Sequence, residues 1–365
     1  MLSTLPKLAD KAFIVGFFLP CLLFAIAFLM LFSDVPTVHE FLILTQDSRS
    51  LEKLVYLVLA VWTLAVFMTI VNSTQYKILE GYKWPISAMK FLRAKETNRF
   101  VLLDARVHYL RTKRYEAKGK LPDDEETELR RKWLVLRRDF PDREALVLPT
   151  RFGNAILAFE QYANSVYGAD SVTLWYHLGS VIPKDFQSLV TDARSQVDCL
   201  VNIIFLATAI GVCASVRLTA AMALWGLGGE NVPHLGLHLV ATDLVRSIVT
   251  AIVAPLIVFL VYELAIERVY VWGDWVKASF DCYLPDLAKR LAFALPAKND
   301  EQIELWKAIS RRASLHHPFD SEKWAAVTDQ KPEDKKIREG QPAISETESQ
   351  GDKDADDGST EDDES

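Results

Sequence analysis

The chain alternates between long uncharged apolar runs and stretches dense in charge. From Ala12 to Phe32 no charged residue occurs, and at a rise of about 1.5 Å per residue such a run crosses a hydrocarbon core of about 30 Å. A second run covers Leu54 to about Val71, and a third covers Cys199 to Val216 between Asp198 and Arg217. The fourth starts after Arg246, passes Pro255, where a kink is expected, and reaches Glu263 or Ile266. Four transmembrane helices are thus predicted, over about 12–32, 54–71, 199–216 and 247–266. The first is longer than the apolar core of about 7 to 15 residues in a secretory signal, and it leads into Leu31-Phe32-Ser33-Asp34 rather than a small-residue cleavage site, so it reads as a retained anchor. Tyr262, Tyr270, Trp272 and Trp275 read as an interfacial aromatic belt at the end of the fourth.

Between the spans the pattern changes to helical amphipathicity. Phe100, Leu103, Val107 and Leu110 recur at helical spacing from Glu96 to Lys120, with Gly119 ending the pattern. A turn at Leu121-Pro122-Asp123-Asp124 precedes a second helix, acidic in its first turn and basic later, which Pro141 stops; the pair predicts a helical hairpin. Thr150 can cap a helix from Arg151 to about Tyr167, with Gly168 as its left-handed stop. A short helix from Ser171 to Val181 follows, and another, from Asp185 to Asp198, runs straight into the third span. After the fourth span, Leu284, Leu287, Leu291 and Leu295 form an apolar stripe for a helix lying on the membrane or on the helical bundle, and Asp300 caps a helix carrying Ile303, Trp306 and Ile309.

Charge orients these elements. About twenty Lys and Arg lie between the second and third spans, and Lys7 and Lys11 precede the first, whereas the short connectors hold only Arg49, Lys53, Arg217 and Arg246. Cationic segments resist translocation, so both termini and the central segment are expected in the cytoplasm. The net charge of −7 arises from the end of the chain, where the residues from Ser349 are nearly all Asp, Glu, Ser, Gly and Thr. Such a tail buries too little to offset its ordering entropy.

The expected fold class is an all-α membrane protein. A transmembrane hairpin covers 1–72, a cytoplasmic helical domain 73–196 with the hairpin at about 96–140, and a second transmembrane hairpin 197–272; cytoplasmic amphipathic helices cover 273–326 and a disordered acidic tail 327–365.

Two elements stand out. Leu79-Glu80-Gly81-Tyr82 follows the second span, and Pro149, Thr150, Arg151, Phe152, Gly153 and Asn154 precede Tyr167-Gly168-Ala169-Asp170 and Trp175. In these the chain resembles a group of bacterial four-span inner-membrane proteins without an assigned activity, over roughly 71–216. The resemblance implies a multi-pass inner-membrane location and no particular chemistry. Gly81-Tyr82 and Trp84-Pro85 are expected to end the helix of the second span and place Tyr82 and Trp84 among the headgroups, as interfacial anchors or beside a bound lipid.

A search for reaction chemistry finds no complete set. There is no phosphate-cradling glycine loop with lysine and no helical metalloprotease pair, and Gly226-Leu227-Gly228-Gly229 reads as a turn. Cys21, Cys199, Cys213 and Cys282 have no metal or redox spacing. His234 and His238 share a helical face that can hold a metal if further ligands converge, but Glu230 and Asp243 are the only acids in that connector; His316-His317 carries less weight. No cofactor is expected. Interleaved acids nearly balance Arg130-Arg131-Lys132, which argues against nucleic acid and reads as a solvated face or one touching anionic lipid.

The remaining candidates are polar groups at the span ends. Asp198, Asn202 and Glu263, with Arg194, Glu267 and Arg268 nearby, form either a charge cluster locking two spans or a proton or cation path. Ala207, Gly211 and Ser215 make a small-residue stripe for close helix approach, within the chain or in a homo-oligomer. The expected function is a membrane-anchored interaction, scaffold or signalling protein that meets a cytoplasmic protein partner. The alternatives are an oligomeric ion channel or small-solute transporter and a membrane-surface enzyme.

Overall fold

The computed structural model describes residues 10–33, 35, 38–40, 50–226, 241–316 and 324. Among them there is no β-strand, and four helices are long and apolar enough to cross a bilayer. By these helices the chain is a multi-pass membrane protein. The ten main helices are α1 (Lys11–Leu31), α2 (Ser50–Leu79), α3 (Lys90–Glu116), α4 (Asp123–Asp139), α5 (Arg151–Glu160), α6 (Tyr162–Tyr167), α7 (Ser171–Leu178), α8 (Lys184–Gly226), α9 (Ala241–Arg290) and α10 (Asn299–Leu315).

The spans α1, α2, α8 and α9 leave large apolar side chains uncovered, with Ile70 73 % and Ile252 67 % exposed. That inverts a water-soluble surface and suits hydrocarbon as solvent. Beyond one end of the spans lies a helical body with its own core, built on Phe152, Leu174, Leu178, Phe280, Leu287 and Trp306. The end of α2, the beginning of α8 and the end of α9 all meet this body, so the two apolar hairpins share one polarity. At the far end, Arg217 Nη1 of α8 donates to the Leu31 carbonyl at 2.7 Å, and Arg246 Nη1 donates to Ser33 Oγ at 2.6 Å.

Helices α8 and α9 are 43 and 50 residues long, roughly 65 and 75 Å at the α-helical rise, more than twice the hydrocarbon thickness. Residues 185–198 do continue unbroken into the third span, as the sequence predicts. The fourth helix, by contrast, ends near neither Glu263 nor Ile266; it continues through Pro255 and Pro285 to Arg290. Leu284 and Leu287 therefore belong to α9 and are buried in the body, which decides between membrane surface and bundle for that stripe. Body helices likewise cover the residues expected to form an interfacial belt. The Trp272 ring meets Phe159 edge-on at 5.0 Å, Trp275 meets Phe186 at 5.4 Å, and the Tyr270 hydroxyl donates to Asp139 at 2.9 Å.

The hairpin of α3 and α4 has a separate core of Phe100, Val107, Leu110, Leu129, Leu136, Phe140 and Val147. Ion pairs join its helices: Arg106 to Glu128 and Lys113 to Glu125, each at 2.6 Å, and Arg99 to Asp139 at 2.8 Å. Its base is tied to α9 by the Tyr270–Asp139 bond and by the Arg138 guanidinium, 4.1 Å over the Tyr270 ring. The helix expected over 151–167 divides at Gln161 into α5 and α6, and Gly168 ends it at φ 74°. Asp300 lies in the first turn of α10 rather than at its cap, which is Lys298. Glu230, His234, His238, His317 and the acidic tail lie outside the described residues.

Candidate functional site

The two sequence elements, about seventy residues apart, meet beneath α2. Gly81, at φ 92°, turns the chain out of the helix, and the Tyr82 amide donates back to the Lys77 carbonyl at 2.9 Å. The Pro149 ring packs on Gly81, leaving no space there for a side chain. The Thr150 hydroxyl donates to the Leu79 carbonyl at 2.7 Å and accepts from the Gly153 amide at 3.0 Å, capping α5 while closing the end of α2. A Cβ on Gly153 would fall 2.5 Å from the Glu80 carbonyl oxygen, so only glycine allows this approach. The Asn154 amide accepts from the Leu148 amide at 2.7 Å and donates to the Leu148 carbonyl at 3.0 Å. Phe152 is wholly buried, 5.8 Å from the Tyr76 ring, and Trp175 packs near Phe280 at 6.2 Å. The motif is a buckle that fastens the body to the second span.

Arg151 faces the other way. Its Nη1 donates to both carboxylate oxygens of Glu263 on α9, at 2.8 and 2.7 Å. Glu263 therefore does not join Asp198, and the partner expected for it in Arg194 or Arg268 is Arg151 instead. Glu267 and Arg268 are exposed, and Glu267 lies near Arg138 of the hairpin. The physical reason is helical phase: Glu263 faces α5, whereas Asp198 on α8 faces α1 and α2.

Around Asp198 three spans converge. Asp198 is 6 % exposed and accepts from Asn72 Nδ2 at 3.1 Å and from the Tyr76 hydroxyl at 2.9 Å, with Arg194 Nε 3.9 Å away. One turn on, the fully buried Asn202 donates from Nδ2 to the Gly16 carbonyl at 2.8 Å. Gly16 sits in a π-helical turn of α1, Ile14–Phe18, where a Cβ would stand 3.3 Å from Asp198 Cβ. A π-turn leaves a backbone carbonyl out of the α-helical ladder, and Asn202 takes it up. The Oδ1 atoms of Asn72 and Asn202 and Oε1 of Gln75 are buried acceptors without a protein donor. The sequence reading missed Asn72, Gln75 and Tyr76 because it ended the second span at Val71. Their spacing of three and four residues, one face of a continuing helix, was the available signal.

Opposite this cluster, α8 and α9 border a groove of about 840 Å³. The stripe of Ala207, Gly211 and Ser215 lines it; at Gly211 a Cβ would come within 2.9 Å of Ala254, so this residue packs α8 on α9 within the chain, while Ala207 and Ser215 border the open groove. Near the buckle, burial and then the charges of Glu80 and Asp170 push the Glu160 carboxyl up to about 7, and burial also raises Glu80. All four cysteines are free, and among the described residues no group of three His, Cys, Asp or Glu is placed to hold a metal ion.

No family model, no curated protein and no solved structure matches the chain.

Proposed function

We propose that this is a membrane-anchored interaction protein of a bacterial inner membrane, in which the spans give anchorage and the helical body, in the cytoplasm, meets a protein partner. The observation that carries the reading is the α3–α4 hairpin. It has its own core and interhelical ion pairs, yet it leaves Tyr115 87 %, Leu102 65 % and Leu134 61 % exposed. Large side chains left open on a rigid arm suit recognition. The excess of Lys and Arg on this side of the spans supports the orientation. Photocrosslinking in cells from Tyr115 should give one discrete heavier product that is absent when the probe stands at Leu189, elsewhere on the body. Identical patterns from both positions would remove the reading.

The Asp198 cluster favours a second reading, an ion or proton path, because an ionisable group buried among spans is costly and rare, and such groups commonly mark ion or proton pathways. Reconstituted vesicles should then show a cation flux that Asp198→Asn abolishes. Equal flux in protein-free vesicles eliminates it.

A further inference from the structure

The segment 82–95 joins the end of α2 to α3 and carries four cations, Lys83, Lys90, Arg93 and Lys95, with no acid. Between them Tyr82, Trp84, Met89 and Phe91 are exposed, Trp84 by 77 %. Bases interleaved with uncovered aromatics suit a surface of anionic headgroups. This segment borders the mouth of the groove between α8 and α9, to which it contributes Ile86, Leu92 and Lys95.

Along α8 the groove wall runs from Ile204 to Val216, about 18 Å at the helical rise, close to one hydrocarbon leaflet of about 15 Å. Its volume of 840 Å³ lies within the usual range for sites that enclose a small molecule. Inside, the walls are mostly apolar: Ala207, Val212, Ala254, Val258 and Phe259. At the mouth, Arg151 is paired with Glu263, and the two carboxylates of Glu96 and Asp139 are met by the two guanidiniums of Arg99 and Arg138, which leaves the Lys95 ammonium as the excess charge.

We propose that this groove seats one anionic glycerophospholipid, its acyl chains between α8 and α9 and its phosphate against Lys95. An apolar slot of leaflet length with a cation at its mouth matches a lipid in both polarity and sign. A second copy's helix would match the slot but not the charge.

The test is native mass spectrometry of the full-length protein released from mild detergent after exchange with phosphatidylglycerol or phosphatidylcholine. One phosphatidylglycerol per chain should be retained, with a preference of several-fold over phosphatidylcholine. Lys95→Glu, an exposed substitution that leaves the fold intact, should bring the preference to parity. Ala207→Phe, or Ser215→Phe if the former does not fold, should lose the retained lipid. Equal retention of both lipids by the unmodified protein would overturn the proposal. So would an unchanged preference in Lys95→Glu, retention in both groove variants, or a dimer that forms as lipid leaves.

Discussion

The Thr150 hydroxyl donates to the Leu79 carbonyl at 2.7 Å, across 71 positions of sequence. The same oxygen accepts from the Gly153 amide, so one side chain ends a span and begins a helix of the body. Where the backbone leaves a bilayer, the last carbonyls of the helix must find donors; the amides of Gly81, Tyr82 and Lys83 serve Lys77 and Ile78, and Thr150 of the body serves Leu79.

Thr150→Val keeps the shape and removes the hydroxyl, leaving the Leu79 carbonyl and the Gly153 amide without it. Chemical unfolding in mild detergent should show a loss of about 2 kcal/mol. Thr150→Ser should recover most of it. Equal stability of the valine variant would mean that the buckle does not close on this bond.

Glu160 gives a pH dependence of definite sign. Its native carboxyl holds a proton up to about pH 7, while the ordinary value in the unfolded chain is 4.5. Between these values the native state binds more protons, so its contribution is complete below pH 4.5 and is lost as pH rises through 7. The shift corresponds to about 3 kcal/mol. Glu160→Gln should therefore raise the melting temperature at pH 8 relative to the parent and leave it nearly unchanged at pH 4.5. A parallel offset at both pH values would contradict the assignment.

At the far end of the spans, Arg217 caps α1 through its bond to the Leu31 carbonyl and lies 5.6 Å over the Phe32 ring. Arg217→Met should cost about 2 kcal/mol, as expected for a charged donor lost from a buried carbonyl. Arg217→Lys should restore only part, because an ammonium cannot both stack and reach. Thermal unfolding of the three proteins in one detergent decides it.

The four spans, the hairpin and the run of 185–198 into the third span were legible because periodicity and charge are local properties. The extents of α2 and α9 were not. Asn72, Gln75 and Tyr76 look like an exit from the membrane until Asp198, more than a hundred residues away, supplies a bond to two of them. Glu263 turns to Arg151 and Asp198 to Asn72 and Tyr76, and only the packed helices reveal which neighbour each has. The Pro149 to Asn154 element stood out in the sequence, yet its meaning lies in Gly81 and Leu79, residues that no local pattern couples to it.

Because α8 and α9 pass from the bilayer into the body without an intervening loop, they behave as levers rather than tethers. A tilt of about 5° over roughly 40 Å of helix displaces its end by about 3 Å, comparable to two residues of rise. A change of tilt among the spans would therefore carry to Lys184 and Arg290, the ends of α8 and α9 in the body, with Pro255 and Pro285 the points on α9 where a bend can absorb it.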